Sequence, residues 1–342
     1  MAIKVLVVDD SATARNILSE ILNSDPRIEV VGLAVDAFMA RDMIVALKPN
    51  VVCLDVEMPR MDGVTFLYKL MEYMPTPVVM VSSLTRKSAK VTLDALEAGA
   101  VDYVAKPHSN IYDGKDEIAE ELIEKVVSAS KAIVQKRAFI TSSHVKPRLA
   151  ETTQKVIAIG SSTGGTEALK TVLSGLPKNS PPVLIVQHMP NSFIPSFAAR
   201  LNEASEIDVQ VAKNGDFLEM GKALISPGGL HMVLRRSGAK YYVEIGKGRV
   251  INGHCPSVDV LFNSVSKVAG ANALGVILTG MGNDGARGLF NMHESGAKTI
   301  AQSEKSCVVF GMPKEAIKLG AVDKIVDLDK IAASMIATLN SM

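Results

Sequence analysis

Short apolar runs alternate with longer amphipathic segments over the first 125 residues of the chain. Each run has the length and composition of a buried strand, and the segments between them carry apolar residues at helical spacing. The predicted strands are Lys4–Val8, Ile28–Ala34, Val51–Leu54, Val78–Val81 and Val101–Val104, and the predicted helices are Ala12–Asn23, Ala37–Leu47, Gly63–Tyr73, Thr85–Ala98 and a segment near 115–130. Strand–helix pairs in this order predict a flavodoxin-like (βα)5 domain of the α/β class over residues 1–125.

The alternation stops over residues 126–152, where basic residues, Ser, Thr and Pro replace the apolar pattern, and this segment is predicted to be a linker. Alternation resumes over 153–342, which predicts a doubly wound α/β domain with a mostly parallel sheet. Long helices are missing between four of its apolar runs, which predicts an antiparallel hairpin region beside that sheet. These runs are Asp208–Val211, Ala223–Ile225, His231–Leu234 and Tyr241–Ile245.

Length, composition and charge narrow the class of protein. A chain of 342 residues is long enough for two domains with separate cores. A formal net charge of +1, 4% aromatic residues and no tryptophan argue against a nucleic-acid binder. No apolar run reaches the roughly 18 residues that cross a bilayer, and the chain enters its first strand at once, so no membrane insertion or signal peptide is predicted. We expect a cytoplasmic protein.

Polar side chains gather at the predicted strand ends of the first domain. Asp9 and Asp10 follow the first strand, Asp55 the third, Ser82 the fourth and Lys106 the fifth. The carboxyl ends of parallel strands share one edge, so these groups are expected to converge. Clustered carboxylates repel one another unless a divalent cation lies among them, which predicts a Mg²⁺ site. One carboxylate can then attack a phosphoryl donor while the hydroxyl and the ammonium group bind the added charge, and Asp55 fits that role.

In the second domain, Gly160-Ser161-Ser162-Thr163-Gly164 follows the strand-like run Val156–Ile159. This segment matches Gly-x-Ser-x-Gly, a strand–turn–helix arrangement that exposes its middle serine, here Ser162. On its own the match is weak, because Gly/Ser/Thr-rich turns also bind phosphate or serve only as turns. The segment has neither the lysine nor the spacing of a Walker loop, which favours the nucleophile.

A nucleophilic serine needs a base and a group that orients the base. Of six histidines, His188 ends the run Val183–Val186 and is therefore expected on the same sheet edge as Ser162. Asp284 follows the run Ala273–Leu278 through a glycine-rich turn and is the predicted orienting acid. His231 and His254 are the alternative bases, and a structural role is expected for both.

The first domain resembles response-regulator receiver domains. The resemblance lies in Val7–Ser11, Leu54–Gly63, Val81–Ser83 and Lys106-Pro107. It implies that Asp55 is the phosphoacceptor, that Asp9, Asp10 and Asp55 hold Mg²⁺ together with the backbone carbonyl of Glu57, and that Ser82 and Lys106 bind the phosphoryl group. It also implies that Tyr103 changes rotamer on activation.

The whole chain resembles the protein-glutamate methylesterase family of chemotaxis. The resemblance lies in Ile159–Ala168, Val186–Pro190, Pro256–Asp259 and Leu278–Gly285. It implies hydrolysis of glutamyl γ-methyl esters, and often deamidation of glutamines, on methyl-accepting chemotaxis receptors, with Ser162, His188 and Asp284 as a catalytic triad that needs no cofactor. A chemotaxis histidine kinase would supply the phosphoryl group, and the unphosphorylated receiver is expected to lie across the active-site cleft.

Two other classes of protein share part of this sequence pattern. A receiver-linked transcription factor would need a basic helix-turn-helix after the linker, and the second domain is instead a large, nearly neutral α/β unit. A scaffold with a vestigial triad keeps the same residues and differs only in their geometry and activity.

Overall fold

The computed structural model describes residues 2–83, 85–106, 115–132, 134 and 155–342. The chain divides into two compact units, Met1–Ile140 and Thr141–Met342. Pro107 and residues 135–152 of the predicted linker lie outside the described residues. Among those that are described, no helix is both long and apolar enough to cross a membrane.

The first unit is a five-stranded parallel sheet with helices between its strands, in the order β2-β1-β3-β4-β5. The strands are β1 (Ile3–Val8), β2 (Ile28–Ala34), β3 (Val51–Asp55), β4 (Val78–Ser82) and β5 (Asp102–Ala105). The helices are α1 (Ala12–Asn23), α2 (Ala37–Leu47), α3 (Gly63–Tyr73), α4 (Arg86–Ala98) and α5 (Lys115–Ala129). These elements confirm the predicted (βα)5 fold, and α5 crosses the predicted domain boundary at residue 125.

Two local features position the end of β3. The side chain of Asp62 caps α3 by accepting a hydrogen bond from the backbone N–H of Thr65. At the first residue of that helix, Gly63, a Cβ atom would lie 2.1 Å from the carbonyl oxygen of Asp55. Only glycine allows this close approach, which folds the β3–α3 loop back against the strand end.

The second unit contains a seven-stranded parallel sheet in the order β14-β13-β12-β6-β7-β9-β8. Its strands are β6 (Val156–Ser161), β7 (Val183–Gln187), β8 (Asp208–Val211), β9 (Lys222–Ile225), β12 (Ala273–Ile277), β13 (Lys298–Gln302) and β14 (Lys324–Val326), and β10 (His231–Ser237) pairs with β11 (Lys240–Gly246) separately. The helices are α6 (Gly165–Ser174), α7 (Ile194–Ala204), α8 (Val258–Val268), α9 (Ala286–Glu294), α10 (Met312–Lys318) and α11 (Leu328–Ser341).

The doubly wound class is confirmed, but the antiparallel region is smaller than predicted. Only β10 and β11 form an antiparallel pair among the described strands. Strands β8 and β9 instead extend the parallel sheet, where β9 pairs with β7 and β8 pairs with β9. The connection between β8 and β9, residues 212–221, crosses over without a helix, so the missing helix did not indicate a hairpin.

Chain order reverses direction at the middle of this sheet. From β6 the chain moves outward to β7 and to the edge strand β8, fills the gap between them with β9, and later returns to the other side of β6 with β12. Such a switch point leaves a crevice at the carboxyl ends of the strands, where ligands bind in open α/β folds. The three strands around it, β12, β6 and β7, are the strands that precede the predicted catalytic residues.

Candidate active site and phosphorylation site

The carboxyl edge of the second sheet brings His188 and Asp284 into direct contact. His188 follows β7, and its Nε2 atom lies 2.9 Å from Oδ2 of Asp284 in the turn before α9. The His188 side chain is 8% exposed and that of Asp284 is 0% exposed. A buried, hydrogen-bonded histidine–carboxylate pair is the orienting half of a catalytic triad.

Asp284 is the acceptor for a set of donors from the segment that starts α8. The hydroxyl of Ser257 donates to its Oδ1 atom over 2.7 Å, and the backbone N–H of Val258 donates to Oδ2 over 2.7 Å. Burial alone would raise the pKa of Asp284, but the hydrogen bonds from His188, Ser257 and Val258 outweigh it and hold the pKa well below its usual range. Asp284 is therefore an ionised acceptor at neutral pH.

An ionised acceptor decides which nitrogen of His188 carries the proton. Because Asp284 can only accept, Nε2 of His188 is the donor, and in the neutral ring Nδ1 keeps a free lone pair. That Nδ1 atom is buried and has no hydrogen-bond partner among the described residues. In this protein the nitrogen available as a base is therefore Nδ1.

Ser162 lies at the neighbouring strand end, between β6 and α6, and is half-buried. Its backbone is fixed by hydrogen bonds from its N–H to the Thr279 carbonyl, 3.0 Å, and from the Gln187 side-chain amide to its own carbonyl, 3.0 Å. The hydroxyl of Ser162 has no hydrogen-bond partner among the described residues, so no hydrogen bond joins Ser162 to His188 in this structure. In many hydrolases this bond tightens only when substrate binds.

The adjacent Ser161 is in a different situation. It is fully buried, and its hydroxyl donates to Oε1 of Gln187 over 2.7 Å. Gln187 thereby links the ends of β6 and β7, which hold Ser162 and His188 respectively. The hydroxyl of Ser161 is thus engaged in the core, whereas that of the half-buried Ser162 has no hydrogen-bond partner among the described residues.

Of the two alternative histidines, His231 has the structural contacts that were expected, whereas His254 contacts the ring of His188. His231 donates from Nε2 to the carbonyl of Arg249 over 2.9 Å and accepts at Nδ1 from the Ser257 N–H over 3.2 Å. The ring of His254 stacks on that of His188, with centroids 3.6 Å apart and planes 15° apart. His254 is therefore part of the site wall, although sequence reasoning had not placed it near the triad.

Asn252 is a site residue that the sequence analysis missed. It lies at the tip of a tight turn in which Ile251 and His254 exchange backbone hydrogen bonds, with φ of 52° at Asn252 and 79° at Gly253. Its amide donates to Oδ2 of Asp259 over 2.7 Å and to Oδ1 of Asp284 over 3.1 Å. Positive φ at both central residues is the geometry that Asn-Gly pairs favour, so this pair was the available signal.

The carboxyl edge of the first sheet gathers the predicted acidic cluster. Ligand oxygens of Asp9, Asp10 and Asp55 lie within 4.8 Å of one another, and Nζ of Lys106 lies 2.8 Å from Asp9 and 3.0 Å from Asp55. Burial and the charge of Asp9 raise the pKa of Asp55 to about 6, against the lowering effect of Lys106. The single positive charge of Lys106 does not neutralise the three carboxylates, and a set of oxygen ligands suits Mg²⁺.

The remaining predicted receiver residues have the following contacts. The hydroxyl of Ser82 accepts a hydrogen bond from Thr92 over 2.8 Å. The backbone N–H of Glu57 donates to the Asp55 carboxylate. Tyr103 is buried on β5, and Nζ of Lys125 lies 4.9 Å from its ring centroid.

Comparison with known proteins identifies both units. The sequence pattern of the family described as "CheB methylesterase" matches residues 157–335, and that of the "Response regulator receiver domain" matches residues 5–112. The chain is 56% identical over 349 residues to the protein-glutamate methylesterase/protein-glutamine glutaminase of Sulfurimonas denitrificans, covering 99% of both chains. It is 57% identical over 339 residues to a protein of the same description from Syntrophus aciditrophicus, covering 98% of both.

A solved structure agrees with the second unit. The CheB methylesterase catalytic domain of Thermotoga maritima is 38% identical and superposes with a TM-score of 0.54, covering 55% of this chain and 100% of that domain. Three findings support the same family: the sequence identity over nearly the full chain, the two matched domains, and the fold of the second unit. The chain therefore belongs to the CheB methylesterase family, whose hydrolase domain here follows a response regulator receiver domain.

Proposed function

We propose that this enzyme is a serine hydrolase that demethylates glutamyl γ-methyl esters, and deamidates glutamines, on methyl-accepting chemotaxis receptors when its receiver is phosphorylated. The observation that carries the proposal is the buried His188–Asp284 pair, which leaves Nδ1 of His188 without a partner at the sheet edge that also holds Ser162. The named relatives support the substrate, and the receiver domain supports regulation by phosphorylation.

The chemistry follows from the positions of three side chains. Nδ1 of His188 takes the proton of the Ser162 hydroxyl as the oxygen attacks the ester carbonyl carbon. The tetrahedral intermediate collapses, its C–O bond to the methoxy group breaks, and the proton on His188 leaves with methanol. Nδ1 of His188 then takes a proton from a water molecule that attacks the acyl-enzyme, the ester bond to Ser162 breaks, the proton on His188 returns to the Ser162 oxygen, and the product is a glutamate side chain. With a glutamine substrate, ammonia leaves in place of methanol.

Backbone amides at the same edge stabilise the oxyanion in this proposal. Met281 follows β12, and its N–H donates no hydrogen bond to another described residue. Thr163 precedes the N-terminus of α6, where the backbone N–H groups favour negative charge. A donor of this kind contributes roughly 3–4 kcal/mol to the transition state of acyl transfer.

Phosphorylation of the first unit is proposed at Asp55. Asp9, Asp10, Asp55 and the Glu57 carbonyl would hold Mg²⁺, which neutralises charge on the incoming phosphoryl group. As the Asp55 carboxylate attacks the phosphorus, the bond between phosphorus and the donor breaks and the dephosphorylated donor leaves, while Ser82 and Lys106 bind the transferred group. A chemotaxis histidine kinase is the proposed donor, and the phosphorylated receiver relieves inhibition of the hydrolase.

Methanol release from a methyl-esterified receptor signalling fragment tests this function. We expect the full chain to release methanol, at a rate that rises when Mg²⁺ and a small phosphodonor are added, and to release ammonia from the matching glutamine fragment. The Ser162→Ala variant is the control for contaminating esterase. If the triad is vestigial, the enzyme will release neither methanol nor ammonia, with or without the phosphodonor, even when Asp55 is shown to be phosphorylated.

A further inference from the structure

A basic and apolar loop lies next to the catalytic pair. This loop, residues 247–251, joins β11 to the turn that carries Asn252 and has the sequence Lys247-Gly248-Arg249-Val250-Ile251. Val250 is 64% exposed and Ile251 is 37% exposed. Lys247 and Arg249 are also exposed, and neither forms a salt bridge with a residue that the structure describes.

The loop is held firmly at its base. His231 binds the carbonyl of Arg249, and its ring leaves no room for a side chain at Gly248, where a Cβ atom would lie 2.6 Å from the imidazole. At the other end, Ile251 exchanges backbone hydrogen bonds with His254. A fixed backbone that leaves two branched apolar and two cationic side chains in solvent is pre-organised for binding.

Direct contacts place the end of this loop at the active site. Asn252, the next residue, donates to Asp284, and His254 stacks on His188. A macromolecule whose reacting side chain reaches Nδ1 of His188 would therefore have surface beside the loop. Exposed apolar residues next to a reactive centre are typical of a binding surface.

The charge of the loop fits the product of the reaction. Each turnover on an ester converts a neutral side chain into a carboxylate, so a receptor segment with several such sites becomes acidic as it is processed. Glu244, the acidic residue just before the loop, is already paired with Arg235 over 2.7 Å. The cations of the loop are thus free to meet negative charge on a partner.

We propose that residues 247–251 form the docking surface for an acidic amphipathic helix of the receptor, with Lys247 and Arg249 facing its carboxylates and Val250 and Ile251 packing against its apolar positions. This inference rests on the proposed function, because it takes the receptor helix as substrate. It adds a specificity element that lies outside the triad and makes receptor recognition dependent on ionic strength.

The test compares two substrates of the phosphodonor-activated full chain: the methyl-esterified receptor fragment and a small glutamyl γ-methyl ester. The measured quantity is the ratio of their kcat/KM values. We expect Arg249→Glu and Val250→Ser each to lower this ratio about tenfold, and Arg249→Glu to flatten its dependence on salt. The matched controls are Lys298→Glu and Ile325→Ser, which change an exposed cation and an exposed apolar residue elsewhere in the unit, and they should leave the ratio unchanged.

Other outcomes overturn the proposal. Equal losses on both substrates would mean that the loop acts through the geometry of Asp284 and His188, and no loss on either would leave it without a role in docking. Full activity of the loop variants without phosphodonor would identify the receiver as the occupant of the loop. A wild-type enzyme that hydrolyses the small ester but not the receptor fragment would overturn the proposed function, and the docking surface with it.

Discussion

Adjacent serines at the end of β6 have opposite environments, and this difference decides the chemistry at the scale of single residues. The hydroxyl of Ser161 is buried, so a substrate cannot reach it, and its proton is donated to Gln187 in a hydrogen bond. Ser162 is half-buried, lies directly after β6, and its hydroxyl has no hydrogen-bond partner among the described residues. A nucleophile needs a free hydroxyl, and of the two serines only Ser162 has a hydroxyl without a hydrogen-bond partner among the described residues, which supports its proposed role.

Exchange of the two serines for alanine should separate these roles. We expect Ser162→Ala to lower kcat by a factor of roughly 10⁴ or more, because a triad acts as a unit. Ser161→Ala should retain most of the activity and instead lower the free energy of unfolding by about 1–2 kcal/mol, because Gln187 loses a buried donor. Methanol release and urea unfolding of both variants measure the two effects, and a reversed pattern would assign the nucleophile to Ser161.

Ser257 is one of several donors, with His188 and the backbone N–H of Val258, that lower the pKa of Asp284. Its hydroxyl donates to Asp284 and accepts from the N–H of Val260 as the cap of α8, so Ser257→Ala loses both contacts. We expect kcat to fall about tenfold and stability to fall by about 1–3 kcal/mol, as for a hydrogen bond to a charged group. The Ser257→Thr variant keeps the hydroxyl and should recover most of both.

The stability loss in Ser257→Ala should depend on pH in a defined direction. The folded-state pKa of Asp284 is depressed, so its contribution is fully present above the unfolded value of about 4 and is lost as the pH falls through the folded value. The difference between wild type and variant should therefore be constant above about pH 4 and narrow below it. Urea unfolding as a function of pH measures this, and a difference that grows on acidification would contradict the assignment.

The sequence predicted that Ser162, His188 and Asp284 would lie on one sheet edge, but it did not predict which residues surround them. Ser162, His188 and Asp284 each follow an apolar run, and the shared edge of a parallel sheet makes their convergence a matter of topology. Asn252 and Ser257 reach Asp284 from a loop and a helix start whose path no periodicity encodes. The choice of Nδ1 as the base likewise depends on which side of the ring Asp284 approaches.

At the scale of elements, the loops between strands determine the direction in which neighbouring strands run, which the pattern of apolar residues does not predict. Runs of alternating residues identified β8 and β9, but their direction depended on the path of residues 212–221. A parallel pair needs a crossover of about a dozen residues, usually helical, and this one is irregular and close to that length. The Asn252-Gly253 turn is a second such connection, since its left-handed backbone aims one amide at two buried carboxylates.

Substitutions at Asn252 should separate the backbone of this turn from its side chain. Asn252→Gly keeps the positive φ and removes the amide, so we expect kcat to fall about tenfold while the turn persists. Burial and the charge of Asp284 already raise the pKa of Asp259, and loss of the shared donor leaves the two carboxylates facing each other. Asn252→Ala adds strain of about 1 kcal/mol or more at the same φ, which unfolding measurements would detect. Unchanged kcat in Asn252→Gly would remove Asn252 from the site.

At the scale of the whole molecule, two parallel sheets place their functional residues in the same way, at the carboxyl ends of the strands, but the residues suit two kinds of chemistry. In each, central functional residues follow strands that are neighbours at a reversal of chain order: the clustered carboxylates follow β1 and β3 in the first sheet, and Ser162, His188 and Asp284 follow β6, β7 and β12 in the second. The first edge collects carboxylates that favour a divalent cation, and the second a histidine–carboxylate pair beside a serine. The family to which the chain belongs combines a regulatory receiver domain with a hydrolase domain, and these are the two units that carry the two edges.

Mg²⁺ should stabilise the receiver through its acidic edge. At a Mg²⁺ concentration ten times its Kd, we expect about 1.4 kcal/mol of added stability, read from the thermal unfolding of the full chain. Asp10→Asn should reduce this gain, because it removes one of the clustered carboxylates. Asp42→Asn is the control, since Asp42 is an exposed acid on α2 paired with Arg41. Equal gains in both variants would place the cation elsewhere.

The switch itself is tested most directly by methanol release from a methylated receptor fragment, measured for wild type and Asp55→Asn with Mg²⁺ and a small phosphodonor. The substitution removes the attacking carboxylate and leaves Ser162, His188 and Asp284 unchanged. We predict that Asp55→Asn keeps the low rate of the unphosphorylated wild type and shows no stimulation by the phosphodonor. Stimulation of Asp55→Asn equal to that of the wild type would contradict the account.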